Sequence, residues 1–300
     1  MSYLELSFDL GNETPEAAEA VCFQNGALSV TFCDGGDDPV LEPKPGELRL
    51  WPRTRMQALF DASLADPILI TKLALAIGVP PESLQARAVA DRIWEREWLR
   101  DFHSMRFGNR LWVAPRHEAV TDADAIVVQL DPGLAFGTGT HPTTAMCLQW
   151  LDSQDLVGRT IVDFGCGSGV LAIAALKLGA RQAYAYDIDP QALRATAENA
   201  AQNQVAGRLT VCTDVAEIPP GRDVVLANIL ADTLIAQRHT LAALLRPEGH
   251  CVLSGILSLQ ELEVASAFEQ WSHMTRFARR EDWVTLSGRR YDTHTIRDDS

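Results

Sequence analysis

The chain lacks any run approaching the ~20 consecutive apolar residues that a membrane helix needs, which excludes a helical span. Its first residues, MSYLELSFDL, bring acids early and no basic stretch ahead of an apolar core, so no secretory signal is expected. The six cysteines, at 22, 33, 147, 166, 212 and 251, form no Cys-x-x-Cys pair and have no metal-ligand spacing. They are expected to be small buried residues in a reducing cytoplasm, with no metal bound. Positive charge is short: 26 Lys and Arg stand against 40 Asp and Glu, a net charge of −14. That balance argues against a general binder of nucleic-acid phosphates. It suits a basic protein partner, or solubility alone. Internal repeats and low-complexity tracts are missing as well.

What the chain does have is residues 160–187, TIVDFGCGSGVLAIAALKLGARQAYAYD. A β-prone run ends at Asp163, and Gly165, Gly167 and Gly169 follow at alternate positions. An apolar helix-prone stretch then runs over 170–178, with Gly179 where a C-cap belongs. Residues 181–186 alternate as a second strand that stops at Asp187. This is a βαβ unit with a nucleotide-type loop at its first corner. Glycines let a ligand lie against bare backbone, and the start of the helix offers unpaired N–H groups. Asp187 is placed to accept hydrogen bonds from both hydroxyls of a ribose.

Spacing chooses the ligand. A dinucleotide loop reads G-x-G-x-x-G, whereas this one reads G-x-G-x-G, with Val170 three residues after Gly167. No Arg follows Asp187 closely to take a ribose phosphate, and Asp163 would repel a pyrophosphate while suiting a cation. S-adenosylmethionine, with its ammonium and sulfonium, fits these features better than NAD. An NAD(P)-dependent oxidoreductase is the main competing reading.

Residues 1–93 read as a separate small α+β domain. Strands are expected at 3–10, 27–33, 47–51 and 84–93, with a helix opened by Thr14-Pro15 and a helical pattern over 54–77 broken near Asp66-Pro67. The order β-α-β-β-α-β is the ferredoxin-like split motif. The aromatic-rich strands of an RNA-binding version are missing. Residues 94–104, which include WEREWLR, read as a short helical connector. The remainder, 105–300, begins with expected strands at 107–114 and 125–130. Residues 131–144, DPGLAFGTGTHPTT, form a loop read as a lid, with Thr143 or Thr144 capping the helix that follows. His141 in that loop is not assigned a catalytic role. Strands at 208–213, 222–227 and 250–254 alternate with helices at 190–204, 231–245 and 258–271, before a closing hairpin at 274–280 and 283–291. The alternation predicts a parallel α/β sheet.

Ligands of open α/β sheets lie beyond the carboxyl ends of the strands. Asp163, Asp187, Asp214 and Asn228 each end an expected strand, so all four are expected to face one crevice. Asn228 stands where amino-group methyltransferases place the Asn or Asp of an N-P-P-Y run. Here the run is A-N-I-L, without the prolines or the aromatic that stacks a flipped base. Two further readings compete: a methyltransferase acting on a nucleic acid or small molecule, and a non-catalytic assembly factor.

GLAFGTGTHPTT, DFGCGSGVLAIAALKLGA and ANIL together resemble the bacterial ribosomal-protein methyltransferase family that acts on protein eleven of the large ribosomal subunit. The resemblance covers the whole chain. It implies a class I, Rossmann-like methyltransferase sheet joined to a ferredoxin-like front domain that docks the substrate and swings on the connector. It also implies N-methylation of lysine side chains and of the N-terminal amino group, by a cytoplasmic protein expected to be a monomer that needs no nucleic acid. The family's S-adenosylmethionine contacts carry over to Thr144, Gly165, Asp187 and Asn228. The loop reading adds Gly167, and Asn228 is expected to position the target nitrogen.

Overall fold

The computed structural model describes residues 2–10, 14–36, 53–64, 66–90, 103–131 and 139–292. The chain divides into two compact units, Met1–Trp94 and Glu95–Ser300.

The first unit holds β1 (Ser2–Asp9), α1 (Pro15–Gln24), β2 (Ala27–Asp34), β3 (Thr54–Asp61), α2 (Pro67–Ile77) and β4 (Gln85–Ala90). Its sheet runs β2-β3-β1-β4 with all neighbours antiparallel, the split β-α-β-β-α-β arrangement. Residues 54–61 are a strand, where the sequence pattern predicts a helix. Their residue types are helix-compatible, but Met56, Ala58 and Phe60 alternate inward and meet Phe8, Leu6 and Leu4 across the register. Period-two burial therefore overrides propensity. The strand expected at 47–51 lies outside the described residues. Asp66 caps α2 by accepting the Ile68 N–H at 2.9 Å, and Gly78 ends it in the left-handed region.

The second unit opens with a three-stranded sheet of β5 (Met105–Phe107), β6 (Leu111–Ala114) and β7 (Ile126–Gln129). The single strand expected at 107–114 is instead a hairpin turning at 108–110. Asp152, at the end of α3 (Pro142–Asp152), is buried there and accepts the N–H groups of Asn109, Arg110 and Leu111. A Cβ on Gly108 would fall 2.3 Å from Asp152 Oδ2, so this turn needs glycine. Of the connector at 94–104, only His103 and Ser104 are described. They belong to no helix and are held by Glu118.

The main sheet contains β8 (Thr160–Phe164), β9 (Gln182–Tyr186), β10 (Leu209–Cys212), β11 (Arg222–Asn228), β12 (Leu245–Leu257), β13 (Thr275–Arg280) and β14 (Trp283–Arg289). Its order is β10-β9-β8-β11-β12-β14-β13, parallel except for β14, which is antiparallel to both of its neighbours. Strand residues alternate between two cores. Ile161, Ala183, Val224 and Leu226 pack with α3, α4 (Val170–Lys177) and α5 (Pro190–Gln202). Val162, Tyr184, Val225 and Ala227 pack with α6 (Ala231–Ala236), α7 (Arg238–Leu244) and α8 (Glu261–Phe268). The helix expected over 231–245 is kinked at Gln237, although hydrogen bonds continue through the kink.

The amino ends of the strands are tied by Asp223. It accepts the N–H and hydroxyl of Thr160, each at 2.8 Å, and Arg246 Nε at 2.8 Å. Strand order reverses between β8 and β11, and such a switch point opens a crevice at the carboxyl ends of the two strands. Among the described residues no helix is long and apolar enough to cross a membrane.

Candidate active site

The corner after β8 is built from three left-handed glycines, Gly165, Gly167 and Gly169, with φ of 79°, 53° and 77°. Side chains seldom tolerate these angles. Space demands glycine as well: a Cβ on Gly165 would sit 2.3 Å from Ile229 Cγ2, and one on Gly169 2.7 Å from Thr196 Cγ2. The N–H groups of Gly165 and Cys166 both donate to Tyr186 O, at 2.8 and 3.0 Å. Thr196 Oγ1 donates to Gly167 O at 3.0 Å, and Asn199 Nδ2 to Ser168 O at 2.9 Å. The loop is thus held from the side by α5 and keeps its own backbone bare on the crevice side.

Asp187 follows β9, half-buried. Its Oδ2 accepts the Gly167 N–H at 2.9 Å and its Oδ1 the Asp189 N–H at 3.0 Å. Each carboxylate oxygen has a second lone pair, so two further hydroxyls can be accepted there. Asp189 then caps α5 through the Gln191 N–H at 2.8 Å, as its Asp-Pro sequence predicts. Ile188, between the two acids, is 88% exposed and offers an apolar surface beside the carboxylate.

Asn228 closes β11 beside Gly165, since Ala227 pairs with Phe164. Its Nδ2 donates to Thr144 Oγ1 at 3.2 Å. Thr144 is in the first turn of α3, three residues inside the cap position. The cap is His141, which corrects the expectation of Thr143 or Thr144: its Nδ1 lies 2.7 Å from Thr143 Oγ1 and 3.4 Å from the Thr143 backbone nitrogen. Burial pushes the His141 pKa down, which keeps Nδ1 an acceptor, and the ring stands edge-on to Trp283 at 5.0 Å. Ser254, paired with Asn228 across β11 and β12, donates to Thr143 O at 3.2 Å and bonds Thr285 Oγ1 at 2.8 Å. Two of these supports, Ser254 with Thr143 and His141 with Trp283, join residues more than a hundred positions apart, so no local pattern announces them. Residues 132–138 of the expected lid lie outside the described residues.

Asp163 and Asp214 depart from the expected convergence. Asp163 is 1% exposed; its Oδ2 accepts the Ala172 N–H at 3.0 Å, and its Oδ1 has no partner among the described residues. Burial, aided by the charge of Asp187, pushes its pKa up to about 7. It anchors the start of α4 and is not a fixed negative charge on an open wall. Asp214 turns back to cap its own loop through the Ala216 N–H at 2.9 Å. Five of the expected site residues meet at the switch point: Thr144 and Asn228 through one hydrogen bond, Gly165 beside them, and Gly167 with Asp187 through another.

The set fits an adenosyl cofactor: a bare cradle, a two-acceptor carboxylate, and amide and hydroxyl groups beside it. A family model described as Ribosomal protein L11 methyltransferase (PrmA) matches residues 2–291. Proteins named ribosomal protein L11 methyltransferase from Vibrio campbellii and Pseudomonas aeruginosa are 44% and 46% identical to the chain, each alignment covering 97% of it and 99% of the relative. A solved structure of a ribosomal protein L11 methylase from Lactobacillus delbrueckii subsp. bulgaricus superposes with a TM-score of 0.58 at 31% identity, over 64% of this chain and all of that one. The fold is that of the class I methyltransferases.

Proposed function

Because the chain belongs to the ribosomal protein L11 methyltransferase family, we propose that it methylates protein L11 of the large ribosomal subunit, with S-adenosylmethionine as donor. The nitrogens assigned are lysine side-chain amines and the N-terminal amine. When bound, the cofactor supplies a methyl group made electrophilic by its sulfonium.

The chain's own residues bind and orient. Asp187 accepts the ribose hydroxyls on the lone pairs that Gly167 and Asp189 leave open, and Gly165 and Gly167 provide the bare backbone. Thr144 engages the Asn228 Nδ2, which leaves Asn228 Oδ1 to accept an N–H of the target amine. That orientation aims the nitrogen lone pair, and positioning of this kind lowers a barrier without proton chemistry. A lysine of pKa ~10.4 is neutral only about 0.04% of the time at pH 7, a cost of about 4.6 kcal/mol. Desolvation in the crevice lowers that cost. The acids and the imidazole at the site have structural tasks: His141 caps α3, Asp163 anchors α4 and Asp187 holds Gly167. Water is therefore the proton acceptor.

Three of the loops at this end of the sheet, 187–193, 212–219 and 228–236, carry Asp187, Asp189, Asp214, Glu217 and Asp232 and no Lys or Arg, and the β13–β14 turn there sets Glu281 and Asp282 against Arg280. A basic protein is drawn to such an edge. The first unit docks it and the connector presents successive nitrogens. The chain acts as a monomer in the cytoplasm, on L11 free or on the ribosome, and transfer needs no nucleic acid.

The observation that carries this reading is the Thr144–Asn228 bond beside the glycine corner. The test is incubation with radiolabelled S-adenosylmethionine and ribosomes from a strain lacking the gene. One labelled small basic protein is expected; label in RNA, or label nowhere, would overturn the proposal.

A further inference from the structure

The opposite edge of the main sheet has the reverse charge. Six adjacent strands each bring an arginine to it: in spatial order Arg208, Arg181, Arg159, Arg222, Arg246 and Arg289, at β10, β9, β8, β11, β12 and the far end of antiparallel β14. The register sets them on one level. The Arg181 N–H donates to Arg159 O at 2.8 Å, Arg222 pairs with Leu245, and Arg289 pairs with His250. With strands ~4.8 Å apart, the row is about 24 Å long.

The row is under-compensated. Among the described residues, Asp155, Asp223, Glu248 and Asp292 are acids of this edge, and Asp223 meets two of the row's guanidinium groups, Arg246 at 2.8 Å and Arg159 at 3.4 Å. Arg208 and Arg222 donate to the carbonyls of Ala180 and Pro220, which leaves their charge uncancelled. His250, inside the row, is held below its ordinary pKa by burial and then by Arg289, Arg159 and Arg246, so these charges converge. Arg159, Arg181, Arg208 and Arg289 are exposed.

We propose that this arginine edge binds the phosphate backbone of RNA. Guanidinium groups match phosphate oxygens through planar, paired donors. A single row one strand-end deep suits a chain of phosphates. The inference stands apart from the methyl-transfer reading, because none of these arginines touches the glycine corner.

The test is fluorescence anisotropy of a labelled RNA stem-loop with the full chain and with the double variant R181E/R289E, across a salt series. Neither Arg181 nor Arg289 makes a side-chain hydrogen bond or ion pair among the described residues. Four exposed arginines predict a log–log salt slope of about −3.6, at about 0.9 per phosphate. The variant should bind at least tenfold more weakly at about 50 mM salt, with a slope shallower by about 2. Its melting temperature and its methyl transfer to L11 should be unchanged. If the charge reversal lowers melting, R181Q/R289Q gives the same comparison with a slope loss of about 2. Absence of RNA binding at low salt, or equal binding by the variant, would overturn the proposal. Edge-dependent binding to phosphatidylglycerol vesicles in place of RNA would overturn it too, making the edge a membrane contact.

Discussion

Asn228 donates its side-chain amide to the hydroxyl of Thr144, 84 residues earlier, at 3.2 Å. The bond fixes which end of the Asn228 amide faces the crevice. Asn228→Ala removes the acceptor for the target amine, and kcat should fall about 100-fold, the scale of losing one preorganised hydrogen-bonding group. Thr144→Val frees the amide to turn and should cost about tenfold. If the two act as a unit, the double variant is no worse than Asn228→Ala alone. Additive losses in single-turnover kinetics would break the link.

Gly165→Ala tests the corner. The new methyl meets Ile229 at 2.3 Å on a backbone of φ 79°. Left-handed strain of roughly 1–2 kcal/mol adds to overpacking of roughly 1–3 kcal/mol. The variant should melt lower and lose cofactor affinity. Denaturant titration and equilibrium dialysis with labelled cofactor measure the two losses separately.

Asp163 should make the cofactor-free protein less stable as pH rises. Its folded pKa, about 7, lies above the ordinary 3.8, so the folded state holds the proton more tightly. Stability from this group is full below pH ~4 and falls by a few kcal/mol up to pH ~7. Asp163→Asn keeps an acceptor for the Ala172 N–H and should flatten that decline. Urea melts across this range, variant against parent, read the difference.

Asp223 acts with the opposite sign. Burial works against its charge, but the bonds from Arg246 and Thr160 outweigh it and hold the pKa at about 2. The stability it contributes is present above pH ~4 and lost as pH falls through ~2, on the order of 2 kcal/mol. Asp223→Asn should be less stable at pH 7 and insensitive to pH across that window, as read by acid unfolding.

Much of the fold and site is legible in the sequence because it is local. The β8–α4–β9 unit follows from apolar runs bounded by Asp163, three glycines and Asp187, and Asp189-Pro190 marks the start of α5 within a residue. Thr54–Asp61 misleads because its residue types suit a helix, and only the partners across the sheet reveal its alternation. His141 is unreadable as a cap because imidazole rarely serves as one, and Trp283 is far away in sequence. Asp163 keeps its expected place at the strand but not its expected exposure: the strand end is visible in sequence, whereas its burial depends on α4 packing over it.

The central claim is that the crevice between β8 and β11 holds the methyl donor. The direct measurement is a crystal structure with S-adenosylhomocysteine, the donor without its methyl. The account predicts ribose hydroxyls on Asp187, backbone contact at Gly165 and Gly167, and the amino-acid end beside Thr144 and Asn228. Ligand density elsewhere, or a crevice still empty at saturating ligand, would contradict it.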